Sequence, residues 1–577
     1  MTRTLKALST MLKGLLSQRA GTKLHMFSRA QASRISNVAS TLLAPPLSEE
    51  AIHPYEYTDG RWLHHDRIQR EVRHVQFNFY ALCKRVIEMS PKAQRINRCE
   101  KKEGGFNRVF VFSLDNGERL VARIPFSIAG PGSYTVSSEV ATMEYLRAKT
   151  TIPIPRIRDW SDDTSRIGCE YIIMEHAQGI QLHAVWPKMN THQHMLCIKA
   201  LTKIIQQMTQ LEFPAYGSIY FVNTSLESSQ KVSLGENFCI GAHTGTRFWD
   251  CDPSLPRSYN RNPPNRGPWL NIEEYSSALV DAGIAQVPDN PHAGDNELAY
   301  HGSVSEHLRL LEICRSIVTN QLPNAPQVRN SSIPTLYHPD LHARNIFVSE
   351  EDPSRITAII DWQSTSIEPA FSYANEEPDM IDSSVRDAQR AGFIPSMFED
   401  MESAESKSKQ EKDDEICQKT FAVGLRAWSP ALFSAKVSDE NYFRLLRFAP
   451  NSWSMGAAAI RQELFELMQQ WKELGLPGEC AYQPSQEELL KHKKEYEDFG
   501  VQQRLKLWLQ DSLGSNGDGW RPAEAFEAAE EAHIVAFEEW MSCNRDEFRD
   551  GNEEATEERA RKLWPWDGNG KLENQKV

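Results

Sequence analysis

The sequence predicts an α+β chain in two lobes: a small β-rich N-terminal lobe, then a larger, mostly helical lobe carrying a helical insert and a helical C-terminal extension. Three observations predict it. Strand-like stretches punctuated by Gly and Pro cluster between residues 104 and 175. Beyond them the apolar period turns helical. Two short apolar strands around a polar turn, Glu350 to Ser354, then interrupt the helices. With 577 residues, 40% of them hydrophobic and 25% charged, the chain can bury a large core.

Charge is uneven. The chain carries −14 overall, yet the first acidic residue is Glu49, and seven basic residues precede it. Leu5, Leu8, Leu12, Leu15 and Leu16 fall on one helical face, away from Lys6 and Lys13. A basic, Ser/Thr-rich, amphipathic leader reads as a mitochondrial transit peptide over 1–45, cut between about residues 20 and 45; a plain basic tail is the alternative. The acidic remainder disfavours nucleic acid, because phosphate contacts need clustered Lys and Arg. No apolar run reaches the length of a membrane span. Ten scattered cysteines without a Cys-x-x-Cys pair suggest neither a disulfide framework nor a zinc ribbon, and a reducing compartment.

Residues 45–75 read as linker and arm. His64-His65 and His192/His194 lack partners at metal-ligand spacing and read as surface or capping histidines. Residues 73–89 look helical. Gly104-Gly105 precedes an alternating strand, and Asp115-Asn116-Gly117 punctuates a hairpin. The Gly-Gly pair serves a plain turn, or a backbone that closes over phosphates. Arg123 lies on the following strand. Val136 to Arg147 is helical with Glu139 beside its apolar stripe; a carboxylate there wants a partner, and Arg123 is the obvious one, in the cleft or as a surface pair. Ile152 to Pro155 is an extended connector, and Cys169 to Glu175 a buried strand leading into a hinge at Gly179. Residues 46–178 therefore form the arm and first lobe.

The second lobe spans 179–370. Residues 195–211 are one amphipathic helix, 215–330 an insert with little period at its centre, 266–275 the start of a helix, and 304–321 another. Its central motif is Leu336-Tyr-His-Pro-Asp-Leu-His-Ala-Arg-Asn-Ile-Phe-Val348, followed by Arg355-Ile-Thr-Ala-Ile-Ile-Asp-Trp-Gln363. A hairpin there brings Asn345 and Asp361 to one end. Phosphoryl transfer needs a carboxylate to orient the attacking hydroxyl and oxygen ligands for magnesium, and Asp340, Asn345 and Asp361 supply them. The extension, 371–577, is mostly helical. Residues 402–416 read as a solvated charged stretch and 523–563 as one long acidic helix.

These residues resemble the aminoglycoside phosphotransferase-like group of the kinase superfold, in a fungal mitochondrial branch. The resemblance rests on Glu103-Gly-Gly-Phe-Asn107, Val121-Ala-Arg-Ile-Pro125, Ala129-Gly-Pro131, Ser138-Glu-Val-Ala-Thr-Met143, Tyr171-Ile-Ile-Met-Glu175, Arg266-Gly-Pro-Trp269, His338-Pro-Asp-Leu-His342 with Asn345, and Ile359-Ile-Asp-Trp-Gln363. It implies a protein-kinase-like fold and a phosphotransferase that uses ATP or another nucleoside triphosphate, with Mg²⁺, on the hydroxyl of a small molecule. Asp340 would accept or orient the hydroxyl proton. Asn345 and Asp361 would bind Mg²⁺. Arg123, held by Glu139, would meet the α- and β-phosphates, and Gly104, Gly105, Phe106 and Asn107 would cover them. Glu175 would lie where the hinge meets the adenine, and His338 would scaffold the loop. The expected location is the mitochondrial matrix. Two departures stand out: Arg123 replaces the usual Lys, and the glycine loop lacks Gly-x-Gly-x-x-Gly. They motivate a second reading, a kinase-like fold kept for binding or scaffolding in mitochondria.

Overall fold

The computed structural model describes residues 52–226, 230–253, 257–259, 263–294, 297–381, 404–547 and 553–566. The leader expected over 1–45 lies outside these residues. From Ile52 onward the expected linker is built into the fold as strand β1 (Gly60–Trp62) and helix α1 (Asp66–Glu71). Asp66 is buried and ties the two, accepting from the Trp62 N–H and from Arg61 and Arg70. The helix expected over 73–89 is shorter, α2 (Phe79–Glu88), capped by Asn78, whose side chain accepts from the Ala81 N–H.

The first lobe is a five-stranded antiparallel sheet. Its members are β2 (Ile96–Glu103), β3 (Asn107–Leu114), β4 (Arg119–Pro125), β5 (Ile157–Ser161) and β6 (Tyr171–Glu175), in the order β2-β3-β4-β6-β5. β3 and β4 form the expected hairpin with Val111 opposite Val121, and Gly117 takes the positive φ that the turn demands. β2 was not legible in the sequence: its Asn-Arg-Cys-Glu-Lys-Lys run carries no apolar alternation, because it is an edge strand. Helix α3 (Gly132–Lys149) crosses this lobe. It is buried around most of its circumference rather than along one stripe, because strands of the insert pack on it from the other side.

In the second lobe, β7 (Ile180–Gln181) follows the hinge, then α4 (Thr191–Thr209), which a reciprocal Asn190–Gln193 capping box starts. The insert holds a small sheet, β8 (Ser218–Phe221), β9 (Val232–Ser233) and β10 (Phe238–Gly241), then helices α5 (Ile272–Gln286) and α6 (Val304–Ser316). The helix expected from Arg266 starts only at Ile272: Trp269 is bridged to Tyr216 and Asn271 is the cap. Strands β11 (Pro334–Leu336), β12 (Ile346–Val348), β13 (Ile356–Ile359) and β14 (Ile367–Pro369) carry the central motif. The lobe's core joins Ile198, Leu201 and Ile205 to Leu336, Ile346, Ile359 and Trp362.

In the extension, α7 (Ala404–Trp428) lies along α4, and Asp413 and Asp414 are buried, so the stretch 402–416 is not simply solvated. Helices α8 (Ala457–Gln470) and α9 (Gln486–Leu513) lead to strand β15 (Trp520–Pro522), which pairs antiparallel with β1. The expected single acidic helix is two, α10 (Ala523–Glu547) and α11 (Glu553–Leu563), with Phe526, Phe537, Trp540 and Trp564 turned inward. No described helix is long and apolar enough to cross a membrane.

Candidate active site

Asp340, Asn345 and Asp361 are positioned by one hairpin. β12 and β13 pair with Ile346 opposite Ile359, and the Ile360 N–H donates to the Asn345 carbonyl at 3.0 Å. Asn345 Nδ2 donates to the Asp340 carbonyl and to Asp340 Oδ2, each at 2.9 Å. The loop rests on fully buried His338. Its Nδ1 accepts from the Asp340 N–H at 3.1 Å, so Nε2 carries the proton that goes to the Ile360 carbonyl at 3.0 Å. Burial lowers its pKa. A neutral histidine with both nitrogens engaged by backbone can shape the loop but has no free nitrogen for proton exchange.

His342 stands in the same motif, but nothing in its local sequence assigns it a role. Its Nε2 lies 2.8 Å from Asp340 Oδ1 and its Nδ1 3.7 Å from Asp379 Oδ1. The hydrogen bond to Asp340, and then the nearby Asp379 carboxylate, push its pKa up to about 10. Burial alone would raise the Asp340 carboxyl, but His342, His338 and Asn345 outweigh it and hold the group below the usual aspartate value.

Arg123 comes from β4, only 6% exposed. Its Nη1 pairs with Glu139 of α3, and Nη2 donates to Asp361 Oδ1 at 2.8 Å and to Gln363. With its amide oxygen turned toward the guanidinium, Asn107 accepts from Nη2 at 3.1 Å and from Nε at 3.2 Å. The expected Arg123–Glu139 pair is thus buried rather than a surface pair, and Gln363 joins it. Burial raises Glu139 to about 7 against the pull of Arg123. Asp361 itself holds a left-handed φ of 68°, a conformation that costs an L-residue about 1 kcal/mol.

Gly104 to Asn107 form a tight turn, the Gly104 N–H donating to the Asn107 carbonyl at 2.9 Å. Phe106 is exposed at its tip. A Cβ added at Gly105 would meet nothing within 4 Å, and at Gly104 only Asn107 at 3.8 Å, so open space lies beside this turn. Arg73 donates from Nε to the Gly105 carbonyl at 3.0 Å and braces it. Glu175 stands apart from the other predicted residues. Its carboxylate is taken by Arg158 at 2.8 Å and its N–H by the Arg156 carbonyl.

The donor set suits a hard divalent cation. The Asp361 carboxylate is half-buried, and Asn345, having turned Nδ2 to Asp340, has Oδ1 as its remaining ligand atom. The guanidinium of Arg123 already places a positive charge against Asp361.

Residues 274–372 match a family described as phosphotransferase enzyme family. A subtelomeric hrmA-associated cluster protein of Aspergillus fumigatus is 32% identical over 302 residues, 47% of this chain, and the chain spans 58% of that relative's length. Altered inheritance of mitochondria protein 9, mitochondrial, of Yarrowia lipolytica is 25% identical over 519 residues, 82% of this chain and 85% of the relative. Among solved structures, a streptomycin–ATP–APH(2'')-IIa ternary complex is 12% identical over 66% of this chain and 97% of its own, with a TM-score of 0.30. A thermostable mutant of aminoglycoside phosphotransferase APH(4)-Ia, with ADP and hygromycin B, is 15% identical over 64% and 98%, with a TM-score of 0.29. In its motifs, its two-lobe fold and these fungal relatives, the chain is similar to the aminoglycoside phosphotransferase-like group of kinase-like proteins.

Proposed function

We propose that the protein transfers the γ-phosphoryl group of ATP, or another nucleoside triphosphate, to the hydroxyl of a small-molecule acceptor. The observation that supports this is the convergence, around Asp361 and the catalytic hairpin, of an Asn345-bonded Asp340 and a Glu139-bonded Arg123. Mg²⁺ bound by Asp361 and Asn345 would neutralise charge on the phosphates. Asp340, ionised at neutral pH, orients the acceptor hydroxyl and takes its proton, while Asn345 and His342 fix its carboxylate. Arg123, its Nη1 held by Glu139, offers its remaining guanidinium N–H groups to the α- and β-phosphates. Gly104, Gly105, Phe106 and Asn107 close over the phosphates, and the Glu175 carbonyl faces the base. In this reading 46–178 grip the nucleotide, 179–370 supply the catalytic loop, and 371–577 extend the second lobe. The acid-free leader, with relatives named mitochondrial, supports residues 1–45 as a transit peptide and the mitochondrial matrix as the location.

A second reading, a kinase-like binding or scaffold protein with little transfer, is favoured by one observation: Arg123 sits directly on Asp361, the carboxylate a cation needs. Two measurements separate them. Mg-ATP at about a hundred times its dissociation constant should stabilise the chain by ~2.7 kcal/mol, seen as a thermal shift that Asp361→Asn loses. Asp340→Asn should retain that shift and lose about 100-fold or more in ATP turnover. A shift without turnover in the native chain supports the scaffold reading. Turnover undiminished in Asp340→Asn overturns the enzyme reading.

A further inference from the structure

Helices α4 and α7 pack along an apolar seam, Ile198, Leu201 and Ile205 on one side and Phe421 and Leu425 on the other. They approach closely: a Cβ at Gly424 would lie 2.7 Å from Thr202 Oγ1. Following the same i, i+4 stripe toward the start of α7 gives Cys417 and then Asp413, an acid on the core-facing side. Opposite stands His194. The three are 2%, 9% and 5% exposed.

The hydrogen bonding of His194 is informative. Its Nε2 lies 2.9 Å from the Trp186 carbonyl, which can only accept, so Nε2 carries a proton. Its Nδ1 faces Asp413 Oδ2 at 2.7 Å. On a neutral ring that places a lone pair against a carboxylate, and only a positive species between them makes the contact favourable: a second ring proton or a metal ion. Three further observations favour the metal. One ligand atom from each of His194, Asp413 and Cys417 lies within 4.8 Å of the others. Asp413 Oδ1 is buried without a hydrogen-bond partner. A ring whose other N–H is anchored on a backbone carbonyl is the arrangement that orients metal-ligating histidines.

We propose that His194 Nδ1, an Asp413 carboxylate oxygen and Cys417 Sγ form a structural zinc site that fastens α7 to α4. A nitrogen, an oxygen and a thiolate suit Zn²⁺ better than Mg²⁺ or Ca²⁺, which take oxygen. Ligands at about 2.0–2.1 Å from zinc open the nitrogen–oxygen separation to about 3.3 Å, a widening of about 0.6 Å. Cys197, one turn after His194, is 1% exposed on the same seam. The whole set is buried from solvent, so the ion would hold structure rather than act on a substrate.

The test uses the full chain. Purified without chelator, it should carry about one zinc per chain by elemental analysis. Removing the zinc with a chelator should lower the melting temperature, and zinc should restore it. Cobalt substituted for zinc should give a thiolate-to-metal band in the near ultraviolet and tetrahedral bands in the visible. Cys417→Ser should abolish the near-ultraviolet band, and Asp413→Asn should release the metal. If either variant fails to fold, the metal content and cobalt spectrum of the native chain still decide. Folded native protein that keeps less than about a tenth of an equivalent of zinc after exposure to it, and shows no cobalt–thiolate band, overturns the site and leaves a buried His194–Asp413 ion pair.

Discussion

His342 is held between Asp340 and Asp379, and its pKa of about 10 keeps it charged across the neutral range. Its contribution to stability is complete below the ordinary value of 6.5 and is lost as pH rises through about 10. At 38% side-chain exposure that contribution is small, but the charge state itself is measurable. The His342 ring proton should not titrate by NMR between about pH 6 and 8, and Asp340→Asn should bring its midpoint down toward the ordinary value. Glu139 runs to a similar rule with the opposite charge. Its carboxyl is raised from 4.5 to about 7, so its favourable share is present below 4.5 and fades as pH rises through 7. The melting temperature of the native chain, measured relative to Glu139→Gln, should therefore fall over that window; a constant difference would count against the burial argument.

At the scale of elements, two glycines separate packing from site. Gly283 lies within α5, where a Cβ would stand 2.1 Å from the Ala449 backbone carbonyl. Backbone cannot rotate away as a side chain can, so Gly283→Ala should cost about 1–3 kcal/mol in urea denaturation, as overpacking does. Gly105 has open space where its Cβ would be, so Gly105→Ala should stay within about 0.5 kcal/mol of the native chain. Nucleotide affinity, measured on the same protein, should be weakened by Gly105→Ala if the turn closes over phosphates. The same contrast explains what the helical period could reveal. Residues 402–416 are so charged that only their face could have betrayed them, and Asp413, Cys417, Phe421 and Leu425 do share one. The stripe is visible only once α4 is known to lie against it.

At the scale of the whole molecule, strands far apart in the chain pair with each other. Trp62 of β1 stands opposite Trp520 of β15, and Trp62 Nε1 donates to Asp518 at 3.0 Å. The arm so held also braces the glycine turn: Arg73 bonds the Gly105 carbonyl, and Glu103, paired with Arg108, accepts from the Thr58 and Asp59 N–H groups. Tail, arm and turn form one continuous set of contacts. A chain ended after residue 514 should leave β1 unpaired and bare Leu63, Leu509 and Leu513, which pack under α10. Hydrogen exchange should quicken in 60–75 and 103–107 and remain unchanged in β12 and β13. Unchanged exchange at 103–107 would mean that the tail does not reach the turn.

By itself the sequence determined what depends on near neighbours. The β3–β4 hairpin follows from alternation around Asp115-Asn116-Gly117, and the placing of Asp340, Asn345 and Asp361 follows from a loop and two strands within one short stretch, where few arrangements fit. The Arg123–Glu139 pair was legible because an acid beside an apolar helical stripe needs a partner and a basic strand residue lay close by. Tertiary structure decided the rest. It brought Gln363 to Arg123 across 240 positions, Asp413 to His194 across 219, and Asp518 to Trp62 across 456. Contacts of that span leave no period in the sequence, because loop closure constrains which residues meet only through the packing of everything between them.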